Sequence, residues 1–306
     1  MNHLLNVQIK DAAPHIFRRP FLLVELDTRM LQIATFLAIG PQIYVDGLVV
    51  MDDKGQRKPV GRFGSKHIIR NILDVGYPSW LQTNASEIMD SFVGALEMNS
   101  PLSSALEVYK KTRFAFVPIM AKKDGKGEDS MVVAALLAIR DILPLIAKAK
   151  LSIPVEEVSS RLISLDAKTS ISEVLDYMMN KHIRNIGIKG GDFHDLGFKG
   201  DNEGSRNSED VVRIVNDRKL LEFLLSHNGR EVMRKNGIEG LAGVNITDNL
   251  DVISATTVQC DNAGSKAAEL LMDIRNPCLI LQKQEERGMY NSIVTPWDVV
   301  MKILKL

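Results

Sequence analysis

The sequence predicts an α/β chain of the α+β kind, built from four copies of one β-α-β-β-α unit. Three observations predict it. The first is a junction between an apolar strand and an amphipathic helix that recurs four times. It reads Gly61-Arg62-Phe63-Gly64-Ser65-Lys66-His67, then Ala135-Leu136-Leu137-Ala138-Ile139-Arg140-Asp141, then Arg213-Ile214-Val215-Asn216-Asp217-Arg218-Lys219, and last Ser292-Ile293-Val294-Thr295-Pro296-Trp297-Asp298. The fourth position falls at Gly64, Ala138, Asn216 and Thr295, so successive copies lie 74, 78 and 79 residues apart. That period exceeds the ~20–50 residues of stacked solenoid repeats, so each copy reads as a small αβ motif in its own right. The second observation is a helical apolar stripe ahead of each junction. The third is an ordinary globular composition, 45% hydrophobic and 25% charged over 306 residues. It excludes disordered, collagen-like and disulfide-scaffold chains.

In the first unit Met30, Ile33, Ala34 and Leu37 share one helix face, which Gly40-Pro41 terminates. Gly47 to Met51, a Gly-containing turn over Asp52 to Arg57, and Pro59 to Phe63 read as strand, turn, strand. In the second unit Ser100 is the expected N-cap, with Pro101 at the first helical position ahead of Leu102, Ala105, Leu106 and Tyr109. In the third, Ser170 and Glu173 have capping-box spacing ahead of Ile171, Val174, Leu175 and Met178. An insertion from about Gly190 to Asp210, rich in Gly, Asp and Asn, reads as an enlarged hairpin loop. In the fourth, Ala267, Leu270, Leu271 and Ile274 repeat the stripe. All four stripes are core faces on this reading.

Charge and cysteine content narrow the function classes. The 38 basic and 38 acidic side chains cancel, whereas a nucleic-acid binder is normally basic overall. Cys260 and Cys278 are too few for a disulfide framework and suit a reducing compartment. The longest apolar run, Met131 to Ile139, falls well short of the ~20 residues that cross a bilayer. Met1 to Lys10 lacks the layout of a secretory leader. The expected location is therefore the cytoplasm, with no membrane contact. The six histidines show no metal-ligand spacing, and no phosphate loop, dinucleotide fingerprint or nucleophile elbow occurs. The expectation is no catalytic residue, no metal and no required cofactor.

The junction ending Ser292-Ile293-Val294-Thr295-Pro296-Trp297-Asp298 resembles that of the cystathionine beta-synthase (CBS) domain family. Met178 to Ile188 is similar to that family's helix-to-strand passage, and Thr257 to Asp261 to its first strand and turn. With four copies in register, the resemblance covers nearly the whole chain. It implies that two CBS units pair into a Bateman module, here residues 1–150 (units at about 14–76 and 85–150) and 151–306 (units at about 155–227 and 250–306). The connection would run from Ala147 to Glu157 through Pro154. Two modules in one chain resemble the regulatory gamma subunits of AMP-activated protein kinase, whose modules form a disc.

The resemblance also implies clefts for adenosine compounds: AMP, ADP, ATP or S-adenosylmethionine. A carboxylate in the first helical turn can accept both ribose hydroxyls, and a Thr at the helix start can donate to a phosphate where the helix dipole favours an anion. The fourth unit keeps both groups, so Asp298 would hold ribose and Thr295 phosphate, while Ala255, Thr256 and Thr257 would face the adenine. Thr295 and Asp298 also have the spacing of an ordinary capping box, and the two readings are compatible. The second unit keeps Asp141 but carries Ala138; the competing reading pairs Asp141 with a neighbouring Arg or Lys on the surface. The first and third units offer Gly64 and His67, and Asn216 and Lys219, with no carboxylate at the last position. Arg62, His67, Arg184 and Lys219 are candidates for neutralising phosphate, each weighed against an ordinary solvated surface role.

The function expected is that of a non-catalytic regulator sensing an adenosine compound and acting on a separate protein. The alternative is a structural interaction module with vestigial clefts, since three of the four motifs are degraded. Closure of the disc by one chain and stacking of two chains as a homodimer both stay open.

Overall fold

A computed structural model describes the chain apart from residues 1, 40–46, 53–57, 92–93, 123–130, 191–212, 251, 283–290 and 305–306. The turn expected over Asp52 to Arg57 and the insertion after Gly190 thus fall mostly outside the described residues, as does Gly40-Pro41.

Each unit contributes three strands in one pattern. In unit 1, Leu23–Glu25 runs parallel to Leu48–Met51, which pairs antiparallel with Pro59–Phe63. Unit 2 repeats this with Leu96–Glu97, Phe116–Lys122 and Met131–Ala138. Unit 3 uses Ser164–Asp166, Asn185–Lys189 and Arg213–Asn216, and unit 4 uses Thr256–Gln259, Leu279–Gln282 and Ser292–Val294. The parallel pair needs a crossover, and the apolar-striped helix supplies it. In order these helices are Met30–Ile39, Leu102–Thr112, Ile171–Lys181 and Gly264–Met272.

The caps show where local chemistry decided the boundaries. Ser170 accepts the Glu173 N–H while Glu173 reaches back to the Ser170 backbone, completing the expected box. Ser100 does not cap its helix. Its hydroxyl accepts the Glu97 N–H at 3.1 Å, and the extended Pro101 becomes the cap residue. The fourth stripe also ends early: its helix stops at Met272, two residues before Ile274.

Fourth strands come from the connections and cross between units. Asp90–Ser91, on the way into unit 2, joins the unit 1 sheet. Ile253–Ser254, leading into unit 4, joins the unit 3 sheet, and Ser160–Arg161, leading into unit 3, joins the unit 4 sheet. The junctions of units 1, 3 and 4 are thereby bordered by a strand from a connection to another unit, while the unit 2 sheet keeps three strands among the described residues.

Packing follows the same reciprocity. The sheet faces of units 1 and 2 meet around Val49, Phe114, Phe116 and Leu136, and those of units 3 and 4 around Leu162, Ile214, Cys278 and Ile280. Helices bury their stripes across the other axis. Units 1 and 3 share one core, including Ile33, Leu37, Ile68, Val174 and Leu220, and units 2 and 4 share another, including Leu106, Leu143, Leu271 and Val299. Gly47 allows the close sheet approach in the first half: a Cβ there would fall 1.9 Å from the Phe116 ring. Among the described residues no helix is long and apolar enough to cross a membrane.

Candidate functional site

The four junctions converge on one cavity of about 2000 Å³, walled by residues from all four units. The second helices begin beside it: Ser65–Val75, Asp217–Leu225 and Pro296–Ile303, with the short turns Ile139–Ile142 and Leu143–Lys148 in unit 2. One position after each helix start faces the cavity in every unit. It holds Lys66, Arg140, Arg218 and Trp297. The wall as a whole carries eleven Lys and Arg side chains against four Asp and Glu. A chain of zero net charge therefore concentrates positive charge in its interior, where field lines focus.

In unit 4, Thr295 caps its helix. Its hydroxyl accepts the Asp298 N–H at 3.3 Å and donates to Asp298 Oδ2 at 2.6 Å, and the Thr295 N–H donates to the same oxygen at 3.0 Å. The other oxygen, Oδ1, accepts the Ser160 hydroxyl at 2.6 Å and lies 3.1 Å from Lys302 Nζ. Thr295 and Asp298 both line the cavity. Ser160 arrives on the crossing strand that edges this sheet, which no local pattern announces.

Unit 2 places Asp141 at the matching position, and the surface pairing weighed for it is wrong. The side chain is 2% exposed, and its side-chain partners come from more than a hundred residues away. Arg19 grips it as a fork, Nη1 to Oδ1 at 2.7 Å and Nη2 to Oδ2 at 2.8 Å. His15 Nε2 lies 3.0 Å from Oδ1, and the Ala138 N–H donates to Oδ2 at 2.7 Å. Burial pushes the Asp141 pKa upward, but the His15 and Arg19 contacts outweigh it and hold the group below the ordinary carboxylate value. The cavity wall includes Ile139 and Arg140 but not Asp141.

Unit 1 places a histidine where units 2 and 4 have a carboxylate. The Gly64 N–H donates to His67 Nδ1 at 3.1 Å, and His67 Nε2 lies 3.2 Å from Asp90 on the crossing strand. His67 stacks on Phe114, with ring centroids 5.3 Å apart, and the Arg62 guanidinium sits 3.8 Å from the centroid of the same ring. Burial lowers the His67 pKa, opposed by Asp90. Arg62 is not a solvated residue; it is 3% exposed, and its Nε and Nη1 are without hydrogen-bond partners among the described residues. In unit 3, Asn216 Oδ1 accepts the Lys219 N–H at 2.9 Å. Lys219 pairs with Glu222 at 2.9 Å, and Arg184 with Asp217 at 2.8 Å.

Of the candidates read from sequence, the structure brings Thr295, Asp298, Arg184 and Lys219 to the cavity. Asp141, Arg62, His67, Ala255, Thr256 and Thr257 are not part of its wall. Thr256 lies on the edge strand of its sheet and spends its hydroxyl on Asn276 Oδ1 at 2.7 Å. Arg140 escaped the sequence reading altogether. Its guanidinium donates to the carbonyls of Leu271, Asp273 and Asn276, which caps the C-terminal end of the unit 4 helix from unit 2. Its place in the repeated junction, beside Lys66 and Arg218, was the available signal.

A crystal structure of a Methanocaldococcus jannaschii protein, proposed to be an archaeal homolog of g-AMPK, superposes on nearly the whole molecule. The match covers 96% of this chain and 99% of that one, at a TM-score of 0.72 and 16% sequence identity. The chain has the tandem CBS fold. Shorter CBS structures align with about half of it. One is the CBS domain protein of Pyrobaculum aerophilum complexed with AMP, at 19% identity, 46% of this chain, 99% of that chain and a TM-score of 0.35. Another is a CBS domain pair in complex with 5-methylthioadenosine and S-adenosylmethionine, at 19% identity, 47% of this chain, 98% of that chain and a TM-score of 0.36. No family model and no curated protein matches the sequence. Within the tandem CBS fold, the capped helix starts and crossing strands are the features that vary from unit to unit.

Proposed function

We propose that this chain is a non-catalytic regulatory protein that binds an adenosine compound bearing phosphate and transmits its presence to a separate protein. The observation that carries this reading is the cavity, where the Thr295–Asp298 box opens onto a wall rich in Lys and Arg. Asp298 would take the ribose hydroxyls, exchanging the Ser160 hydroxyl for one of them, and Thr295 would meet a phosphate at the start of Pro296–Ile303. The starts of Ser65–Val75 and Asp217–Leu225 add two further positive dipole ends beside the same space. Lys66, Arg184 and Lys219 would neutralise charge there, while Arg62 and His67 stay outside the wall and act on packing instead. A ligand spanning the cavity touches several units at once, so it shifts their relative packing by its differential affinity for the two arrangements.

Calorimetry with AMP, ADP, ATP and S-adenosylmethionine tests this. The expected result is saturable binding of a phosphate-bearing adenosine compound that weakens at least about tenfold in Asp298→Ala, or about 1.4 kcal/mol. The competing reading, a structural module with vestigial clefts, expects no thermal shift with any of the four. A true ligand at 100 times its Kd adds about 2.7 kcal/mol. Unchanged binding in the Asp298 variant refutes the site.

A further inference from the structure

The matching carboxylates of units 2 and 4 sit in the same place and have different occupants. Both follow an N-cap residue by three positions, and both accept that residue's backbone N–H, at 2.7 Å for Asp141 and 3.0 Å for Asp298. Both also meet a side chain from the segment that leads into the partner unit. For Asp298 this is the Ser160 hydroxyl. For Asp141 it is the Arg19 guanidinium, which takes both carboxylate oxygens and adds a bond to the Leu136 carbonyl at 3.1 Å. Both carboxylates are fully engaged, Asp298 also by the Thr295 hydroxyl and by Lys302 Nζ at 3.1 Å, so they differ in the kind of partner. A single neutral hydroxyl can be replaced in kind by a ligand hydroxyl, whereas a bidentate guanidinium, with His15 on the same oxygen, is a charge-assisted fork that a ligand hydroxyl does not match. Asp298 lines the cavity wall and Asp141 does not.

We infer that Arg19 is a built-in occupant of the unit 2 site: the segment Pro14–Arg19 is a strap that holds a guanidinium where a diol-bearing ligand would otherwise bind Asp141. The inference rests on the adenosine reading for the identity of that ligand, but not for the occupancy itself. The strap gives the chain a latent second site that opens when Pro14–Arg19 lifts. The segment is a single five-residue 3-10 turn whose Phe17 is only partly buried and whose anchor is Ile16, 1% exposed, so lifting it must draw Ile16 out of the core. The two ligand carboxylates of the molecule are thus unequal by construction.

The test replaces Arg19 with the residue that unit 4 uses. Arg19→Ser should bind one more molar equivalent of AMP than the wild-type chain. Arg19→Ser/Asp141→Asn should return to the wild-type number, and Arg19→Lys, which keeps the charge, should stay closed. Far-UV circular dichroism confirms that each variant is folded. An unchanged stoichiometry in a folded Arg19→Ser chain overturns the inference. If no variant binds any adenosine compound, the functional reading fails by itself, and a ligand-free arm still decides the strap. Ethylguanidinium at low millimolar concentration should raise the melting temperature of Arg19→Ser saturably, with no effect on the wild type or the double variant. No such stabilisation overturns the strap as well.

Discussion

Removing the Asp141 carboxylate gives the sharpest test of the packing described here. The group is 2% exposed and accepts the Arg19 fork, His15 and the Ala138 N–H. In Asp141→Ala the Arg19 guanidinium, itself 17% exposed, loses its counter-charge in a largely dry site. Breaking a buried pair costs about 3–5 kcal/mol. Residual solvent around Arg19 and the near half-exposure of His15 place the expected loss at the lower end, about 3 kcal/mol. Urea unfolding at pH 7, followed both by circular dichroism and by fluorescence, measures it. Trp80 reports on unit 1 and Trp297 on unit 4, so coincident transitions establish that the two halves unfold together. The double variant Arg19→Ala/Asp141→Ala should recover part of the loss, with a coupling of about 2 kcal/mol. A single-variant loss below about 1 kcal/mol, with additive behaviour in the double variant, would refute the ion pair as a structural element. The sign of the pH dependence follows from the depressed Asp141 pKa. Its stabilisation is present above the usual value of 3.8 and disappears as pH falls below it toward the folded value.

Further expectations concern other parts of the molecule. Burial lowers the His67 pKa below 6.5, so its contribution is complete above that pH and declines as pH falls below it. His67→Gln should flatten the stability curve between about pH 5 and 7, and an unchanged curve would count against neutral His67 in the fold. Burial pushes the Cys278 thiol up to about 12; mass-mapped alkylation at pH 8 should leave Cys278 unmodified in the native chain and label it in urea. Gly47→Ala must displace the Phe116 ring, which a Cβ would meet at 1.9 Å, and should cost about 1–3 kcal/mol by thermal or urea unfolding. A neutral result would show that the sheets of units 1 and 2 can separate without penalty.

Much of the fold was legible in the sequence because it is local and repeated. Helix stripes such as Ile171, Val174, Leu175 and Met178 became buried faces. The Ser170–Glu173 and Thr295–Asp298 boxes formed as their spacing dictated. Cap chemistry and apolar periodicity act over three to seven residues, so a string of letters contains them. Ser100 misled for the opposite reason: a non-helical bond to the Glu97 N–H competed for its hydroxyl.

What the sequence by itself determined is the unit, its fourfold recurrence and the placement of Thr295 and Asp298 at the start of a helix. What only the tertiary structure decided is the company each junction keeps. Ser160 meets Asp298 and Asp90 meets His67 because strands leading into one unit edge the sheet of another, and Arg19 meets Asp141 from the turn that leads into unit 1. No periodicity encodes such contacts, two of which span more than a hundred residues. The zero net charge was equally silent about the cavity, since a sum over the chain cannot say where its charges gather. Folding turns one sequence position, shared by Lys66, Arg140 and Arg218, toward a common interior. Once there, the low dielectric and the converging helix ends give those charges a reach that they lack on an open surface.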